Sequence, residues 1–113
     1  MADTPLSIAD VLDRAADLIE PEGAWTQGVL ARDAQGKGVC GPPFSGACSY
    51  CASGAIIAAA GEFEMAYYDL VAHLIGDVVP VWNDAPGRTQ SEVVSTLRLA
   101  ASKAREQEWT GHD

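Results

Sequence analysis

Basic side chains are scarce in this 113-residue sequence: seven Lys and Arg stand against sixteen Asp and Glu, a formal charge of −9. So few cations cannot neutralise many phosphates, which argues against direct binding to duplex nucleic acid. Long apolar runs are also lacking. The stretch Ile56 to Gly61 falls far short of the ~18 apolar residues a spanning helix needs, and the first residues have neither the basic start nor the apolar middle of a signal peptide. A soluble, cytoplasmic protein with no membrane partner is expected. Cysteine is limited to Cys40, Cys48 and Cys51, an odd number crowded into one segment, so these read as reduced thiols rather than a secreted disulfide framework. What is present is a chain 48% hydrophobic, enough for one compact core, with a single domain over residues 1–113 and loose ends at 1–4 and 110–113.

From Ser7 to Glu20 the residues Ile8, Val11, Leu12, Ala15, Ala16 and Ile19 recur at helical spacing, with Ser7 placed as cap and Pro21 and Gly23 as stop. Glycines 28, 36 and 38 around Asp33-Ala34-Gln35-Gly36-Lys37 fit a β-hairpin between Trp25 and Val39. Pro42-Pro43 and Gly46 mark an irregular loop from Cys40 to Ala47. A second helix, starting near Ser49 and running from Tyr50 to Ala60, is small and apolar nearly all round and should be the most buried element. Phe63, Ala66, Tyr67, Leu70, Val71 and Leu74 predict a third helix ending at Gly76. Val78 to Trp82 reads as a short edge strand, since Pro80 is tolerated there. Ala85-Pro86-Gly87-Arg88 has turn chemistry, and Thr89-Gln90-Ser91-Glu92 is a capping box before a last helix whose buried stripe is Val93, Val94, Leu97, Ala100, Ala101 and Ala104. The fold class is α+β, mainly helical: about four helices, a β-hairpin and one short extra strand.

A helix ending Leu-Ile-Glu-Pro is followed by Gly-Ala-Trp-Thr-Gln-Gly, Ala-Arg-Asp-Ala, Cys51-Ala52-Ser53-Gly54-Ala55-Ile56 and Trp82-Asn83-Asp84-Ala85-Pro86-Gly87-Arg88-Thr89. This order resembles a family of small uncharacterised proteins, a domain of unknown function encoded by bacteria and their phages, with Cys-x-x-Gly-Ala and Trp-Asn-Asp-x-Pro-Gly-Arg-Thr elements. The similarity spans residues 8 to 104. Cys40 and Cys48 lie outside its pattern, and Tyr50 stands where Trp is common. The resemblance implies a shared fold and a phage or bacterial setting, and no particular chemistry.

Four constellations carry candidate function. Cys51 at the opening turn of a helix feels the positive end of the dipole, which favours thiolate; His73 would be its base and Asn83 or Asp84 the orienting group of a small hydrolase or transferase. Set against this is a buried cysteine acting as a small hydrophobe. Cys48-Ser49-Tyr50-Cys51 has Cys-x-x-Cys spacing, and Cys40 and His73 would complete a zinc set, but no second Cys-x-x-Cys accompanies it, so no metal or other cofactor is expected. The tract Trp82 to Thr89 joins Arg88 and the amides near Thr89 with stacking surfaces at Trp82 and Trp25, a place for a small anionic or nucleotide-like ligand. The same residues also suit an Asx-turn, a type II turn and a helix cap. Finally, Asp13, Asp17 and Glu20 face one side of the first helix, and residues 1–22 hold six acids against Arg14. Like charges at that spacing cost a few tenths of a kcal/mol each, so a basic partner is one reason for them and solubility another.

The leading expectation is a small acidic, non-enzymatic binding protein, a phage or mobile-element accessory that docks on a host protein, including host defence, through Asp13, Asp17 and Glu20. The Cys51 enzyme and the Trp82–Thr89 ligand site are its alternatives.

Overall fold

A computed structural model describes residues 7–39, 44–62 and 65–110, without the side chains of 107–110. The elements are α1 (Ile8–Ile19), β1 (Ala31–Asp33), β2 (Gly38–Val39), β3 (Ala47–Tyr50), α2 (Ala52–Ala60), α3 (Met65–Ile75), α4 (Val79–Asn83) and α5 (Gln90–Thr110). The class is α+β: five helices and a small antiparallel sheet in the order β2-β1-β3.

α1 forms as its periodicity requires. Ser7 accepts a hydrogen bond from the Asp10 amide, and Ala9, Val11, Leu12, Ala15, Ala16 and Ile19 are buried. It packs chiefly on α5 and α2. Its C-terminal carbonyls are capped from a distance: the Gln90 side-chain amide, at the start of α5, donates to Ile19 O and Pro21 O at 2.6 and 2.7 Å. The capping box is formed in both directions, Thr89 N donating to Glu92 Oε1 and Glu92 N to Thr89 Oγ1. Before it, Arg88 N donates to Ala85 O and Gly87 sits at φ 83°, the backbone of a type II turn.

The hairpin is present but narrower than its signals. β1 and β2 pair Ala31 with Val39 across the Asp33–Lys37 turn, while residues 27–30 bend and Trp25 makes only a parallel bridge to Tyr50. Two further expectations are corrected. Ser49 and Tyr50 do not begin the central helix and Ala47 does not end a loop; residues 47–50 are β3, paired antiparallel with β1, Ala31 facing Tyr50 and Asp33 facing Ala47. Tyr50 N donates to Ala24 O and Thr26 N to Tyr50 O, so the strand is held on both sides and α2 starts only at Ala52. The extra strand is therefore β3 and not Val78 to Trp82, where Val78 is the extended N-cap and residues 79–82 are helical. Pro80 lies at the second position of α4, where amides have no intrahelical acceptor and a missing donor costs nothing.

α2 is the centre of the molecule: every residue from Ala52 to Ile57 is buried. α3 is amphipathic about Tyr68 and Val71, with Ala66 exposed. In α5 the buried stripe is Val93, Leu97, Ala100, Ala101 and Ala104, with Val94 half-buried beside it. The helix continues to Thr110, the expected start of the tail. Cys40, Pro42-Pro43, Phe63, His112 and the segment Met1–Thr4 lie outside the described residues.

Candidate functional site

The sequence motifs meet around the N-terminus of α2. Cys51 is the N-cap of that helix: its amide donates to Leu30 O at 2.9 Å, and its Sγ accepts from the Gly54 amide at 3.3 Å. Gly54 packs flat on β1's approach. A Cβ there would fall on the Leu30 carbonyl oxygen and 2.8 Å from its carbon, so only glycine fits. Cys-x-x-Gly is thus a cap and a close helix–backbone contact made by one short segment.

The thiol is buried, and burial pushes its pKa up; the Gly54 and Ser53 amides pull the other way, and Asp84 adds to the upward shift. It is therefore protonated at neutral pH. His73 is exposed on the last turn of α3, and among the described residues no hydrogen bond or ion pair joins it to Cys51, Asn83 or Asp84. Cys48 and Cys51 are free thiols, Cys48 exposed and Cys51 buried. Three residues apart along extended backbone, they point to opposite sides. Among the described residues no group of His, Cys, Asp and Glu has the arrangement of a metal site.

Asn83 ties α4 to this helix start. It is fully buried, and all of its hydrogen-bonding capacity is used. Oδ1 accepts from Trp25 Nε1 at 2.7 Å and from the Ala52 amide at 3.0 Å; Nδ2 donates to Thr26 O and to Asp84 Oδ1. Because an indole N–H and an amide N–H can only donate, the orientation of the Asn83 amide is fixed by its partners. Asp84 Oδ1 also accepts from the Gly28 amide, and Gln27 Nε2 donates to Asn83 O and Ala85 O. The Trp-Asn-Asp motif is therefore a polar rivet between the 24–30 segment, α4 and α2.

Arg88 is held at three points. Its guanidinium lies 4.2 Å over the Trp82 ring, Nε donates to Trp82 O at 3.0 Å, and Nη1 is 3.6 Å from Glu92 Oε1. The Thr89 and Glu92 amides, two of the donors near the expected anion position, are engaged by the capping box.

The acidic face of α1 has partners on α5 that its sequence gives no hint of. Arg98 reaches Asp13 at 3.3 Å, Asp17 at 2.8 Å and Glu20 at 2.9 Å, and Arg105 reaches Asp13 and Asp10. Each acid is separated from its arginine by about eighty residues or more. The like charges along α1 are thus offset across the helix pair.

A different surface is left open. Between α2, α3 and the start of α4 lies a cavity of about 430 Å³ whose walls include Leu30, Ile57, Val79 and Pro80. Met65 and Val78 stand at its rim, 55% and 58% exposed. Tyr68 also lines it, its hydroxyl donating to Ser53 O, its pKa raised by burial and then by Cys51. Ser53 lines it too; among the described residues its Oγ is the one buried side-chain oxygen with no hydrogen-bond partner. Asp69 is the charged residue of the lining and has no ion-pair partner among the described residues. No motif marked these positions in the sequence.

Compared with known proteins, the chain belongs to a family described as a family of unknown function, DUF6197, whose model matches residues 3–103. No curated protein and no solved structure matches it.

Proposed function

We propose that this DUF6197 protein is a small non-enzymatic binding protein that takes an apolar group of a partner protein into the groove between α2, α3 and α4. The observation that carries the reading is the contrast in satisfaction. Cys51, Asn83, Asp84, Arg88 and the acids of α1 all bond within the chain, whereas the groove presents apolar walls with exposed Met65 and Val78 at the rim. Concave apolar surface with a few polar atoms is the usual form of a ligand site, and single-domain proteins seldom expose such surface without use. Because Asp13, Asp17 and Glu20 already engage Arg98, the groove rather than that face is the docking surface. The resemblance in the Cys-x-x-Gly-Ala and Trp-Asn-Asp elements adds the setting: a phage or mobile-element accessory working in the cytoplasm on a host protein.

Two measurements test this. Alkylation at neutral pH, resolved by mass spectrometry, should label exposed Cys48 quickly and Cys51 only at the rate of opening; faster labelling at Cys51 would return the thiol to chemistry and overturn the non-enzymatic reading. Titration of toluene and indole, followed by amide NMR shifts, should move Ile57, Tyr68, Ala72 and Val79 together, and Ala72→Trp should abolish the response. Shifts scattered over the surface would remove the groove as a binding site.

A further inference from the structure

One wall of the groove is held far less firmly than the others. We propose that α3 is a hinged lid: it lifts as a unit about Gly61 and Gly76 and is drawn shut by the group that binds beneath it. The lifting follows from packing alone, while its use as a lid rests on the groove being the binding surface.

Burial sets α3 apart. α1, a helix of nearly the same length, buries six of its twelve residues; α3 buries Tyr68 and Val71 of its eleven, with Leu70 and Leu74 half-buried. Arg98 and Arg105 clamp α1 to α5, and among the described residues no ion pair reaches α3. Met65, Tyr68, Asp69 and Ala72, one side of the helix, line the cavity of about 430 Å³ and forgo dispersion contacts there. Elements with few buried side chains open below the free energy of global unfolding.

The ends of α3 permit the motion. Gly61, which closes α2, and Gly76, which closes α3, sit at φ 84° and 70°, and nothing stands within 4 Å of where a Cβ would be at either. No packed side chain resists a change of backbone angle at these two points. Ser53 supplies a reason to move. Its hydroxyl is sealed from water with no hydrogen-bond partner among the described residues, and the Tyr68 hydroxyl of α3 lies 3.2 Å from the Ser53 carbonyl oxygen. Closure strands a polar group that water reaches once α3 lifts. An apolar group filling the cavity restores contacts along α3 and offsets that penalty, so binding shifts the population towards the closed form.

Amide hydrogen exchange of the full chain, read by NMR, tests this. The amides from Asp69 to Leu74 should share one protection factor, about tenfold or more below those of Ala15 and Ala16 in α1. Protection that climbs steadily from the helix ends inward is fraying, and protection equal to that of α1 places α3 in the global unit; either result overturns the lid. Ser53→Ala gives up no side-chain hydrogen bond and should raise α3 protection about fivefold by removing the stranded hydroxyl. If α3 exchange stays unchanged while amides that exchange through global unfolding slow down, the hydroxyl remains covered when α3 lifts, and the proposed motion is wrong. Toluene at about ten times its dissociation constant should raise α3 protection about tenfold, because the lifted form does not bind it. Toluene that shifts the Ile57 and Val79 amides without slowing α3 exchange is held with α3 lifted, which overturns the lid and leaves the groove a binding site. Toluene that shifts neither removes the groove, and the lid with it.

Discussion

Ala52 and Ser53 are neighbours in the first turn of one helix, yet they belong to opposite sides of the molecule's economy of hydrogen bonds. The Ala52 amide is met by Asn83 Oδ1 at 3.0 Å, within a rivet whose other members are Trp25, Thr26, Gln27 and Asp84. The Ser53 hydroxyl, one residue on, has no hydrogen-bond partner among the described residues and is buried behind the apolar wall of a groove. The rivet side holds nearly every residue that stands out in the sequence, and it is closed. The groove side holds ordinary residues, Leu30, Ile57, Ala72 and Val79, and it is open. Side chains that are rare and chemically versatile are consumed here in fixing the fold, so conspicuousness in a sequence does not by itself mark a surface that is left open.

The sharpest way to break the comparison is at Gly54. An Ala in a helix interior ordinarily gains up to about 1 kcal/mol over Gly. Here its Cβ would fall on the backbone of Leu30, which cannot swing aside as a side chain can. Overlap wins, and Gly54→Ala is expected to destabilise by about 3–5 kcal/mol in urea unfolding, because α2 must lift from Leu30 and surrender the Cys51 N–H to Leu30 O bond. A loss below 1 kcal/mol would mean that the rivet side is loosely packed. Next in size is Asn83→Ala, which leaves the Trp25 indole N–H and the Ala52 amide without acceptors. At about 1–3 kcal/mol per unanswered buried group, a loss of roughly 3 kcal/mol follows. It should appear in unfolding curves together with a red shift of Trp25 fluorescence. Asn83→Ala leaving stability unchanged would move the Trp-Asn-Asp motif out of the fold and back among functional candidates.

How much of this was legible depends on range along the chain. α1, the type II turn at Ala85–Arg88 and the Thr89–Glu92 box follow from residues within a few positions of each other, and the sequence carries them in full. β3 does not. Ala47-Cys48-Ser49-Tyr50 runs straight into an apolar helical stretch, and only pairing with β1, fourteen to nineteen residues earlier, makes it extended. Pro80 is ambiguous for a local reason: the missing amide suits an edge strand and the first turn of a helix equally, and the surrounding packing chose the helix. The acids of α1 suggest a partner because their actual partner, Arg98, lies 81 residues beyond Asp17. The groove has no signature at all, since its walls come from β1's approach and three helices.

The smallest expected effect separates the two sides by pH. Cys51 lies at the rivet, and burial holds its thiol in the neutral form, so its folded pKa is raised above the unfolded value. That contribution to stability is complete below the unfolded thiol's pKa, about 8.5, and is lost as pH rises through the folded pKa, because the unfolded chain gains by ionising first. Tyr68, in the groove lining, shifts in the same direction, but from an ordinary value of about 10. Cys51→Ser keeps a side-chain acceptor for the Gly54 amide and removes the ionisation. Urea midpoints of the two proteins should therefore run parallel up to about pH 8 and diverge as pH rises beyond about 8.5, with the wild type falling faster. A wild type that instead gains on the serine variant across that interval would hold a favoured thiolate in the fold. The closed side of the molecule would then carry a nucleophile, and the contrast with the groove would fail.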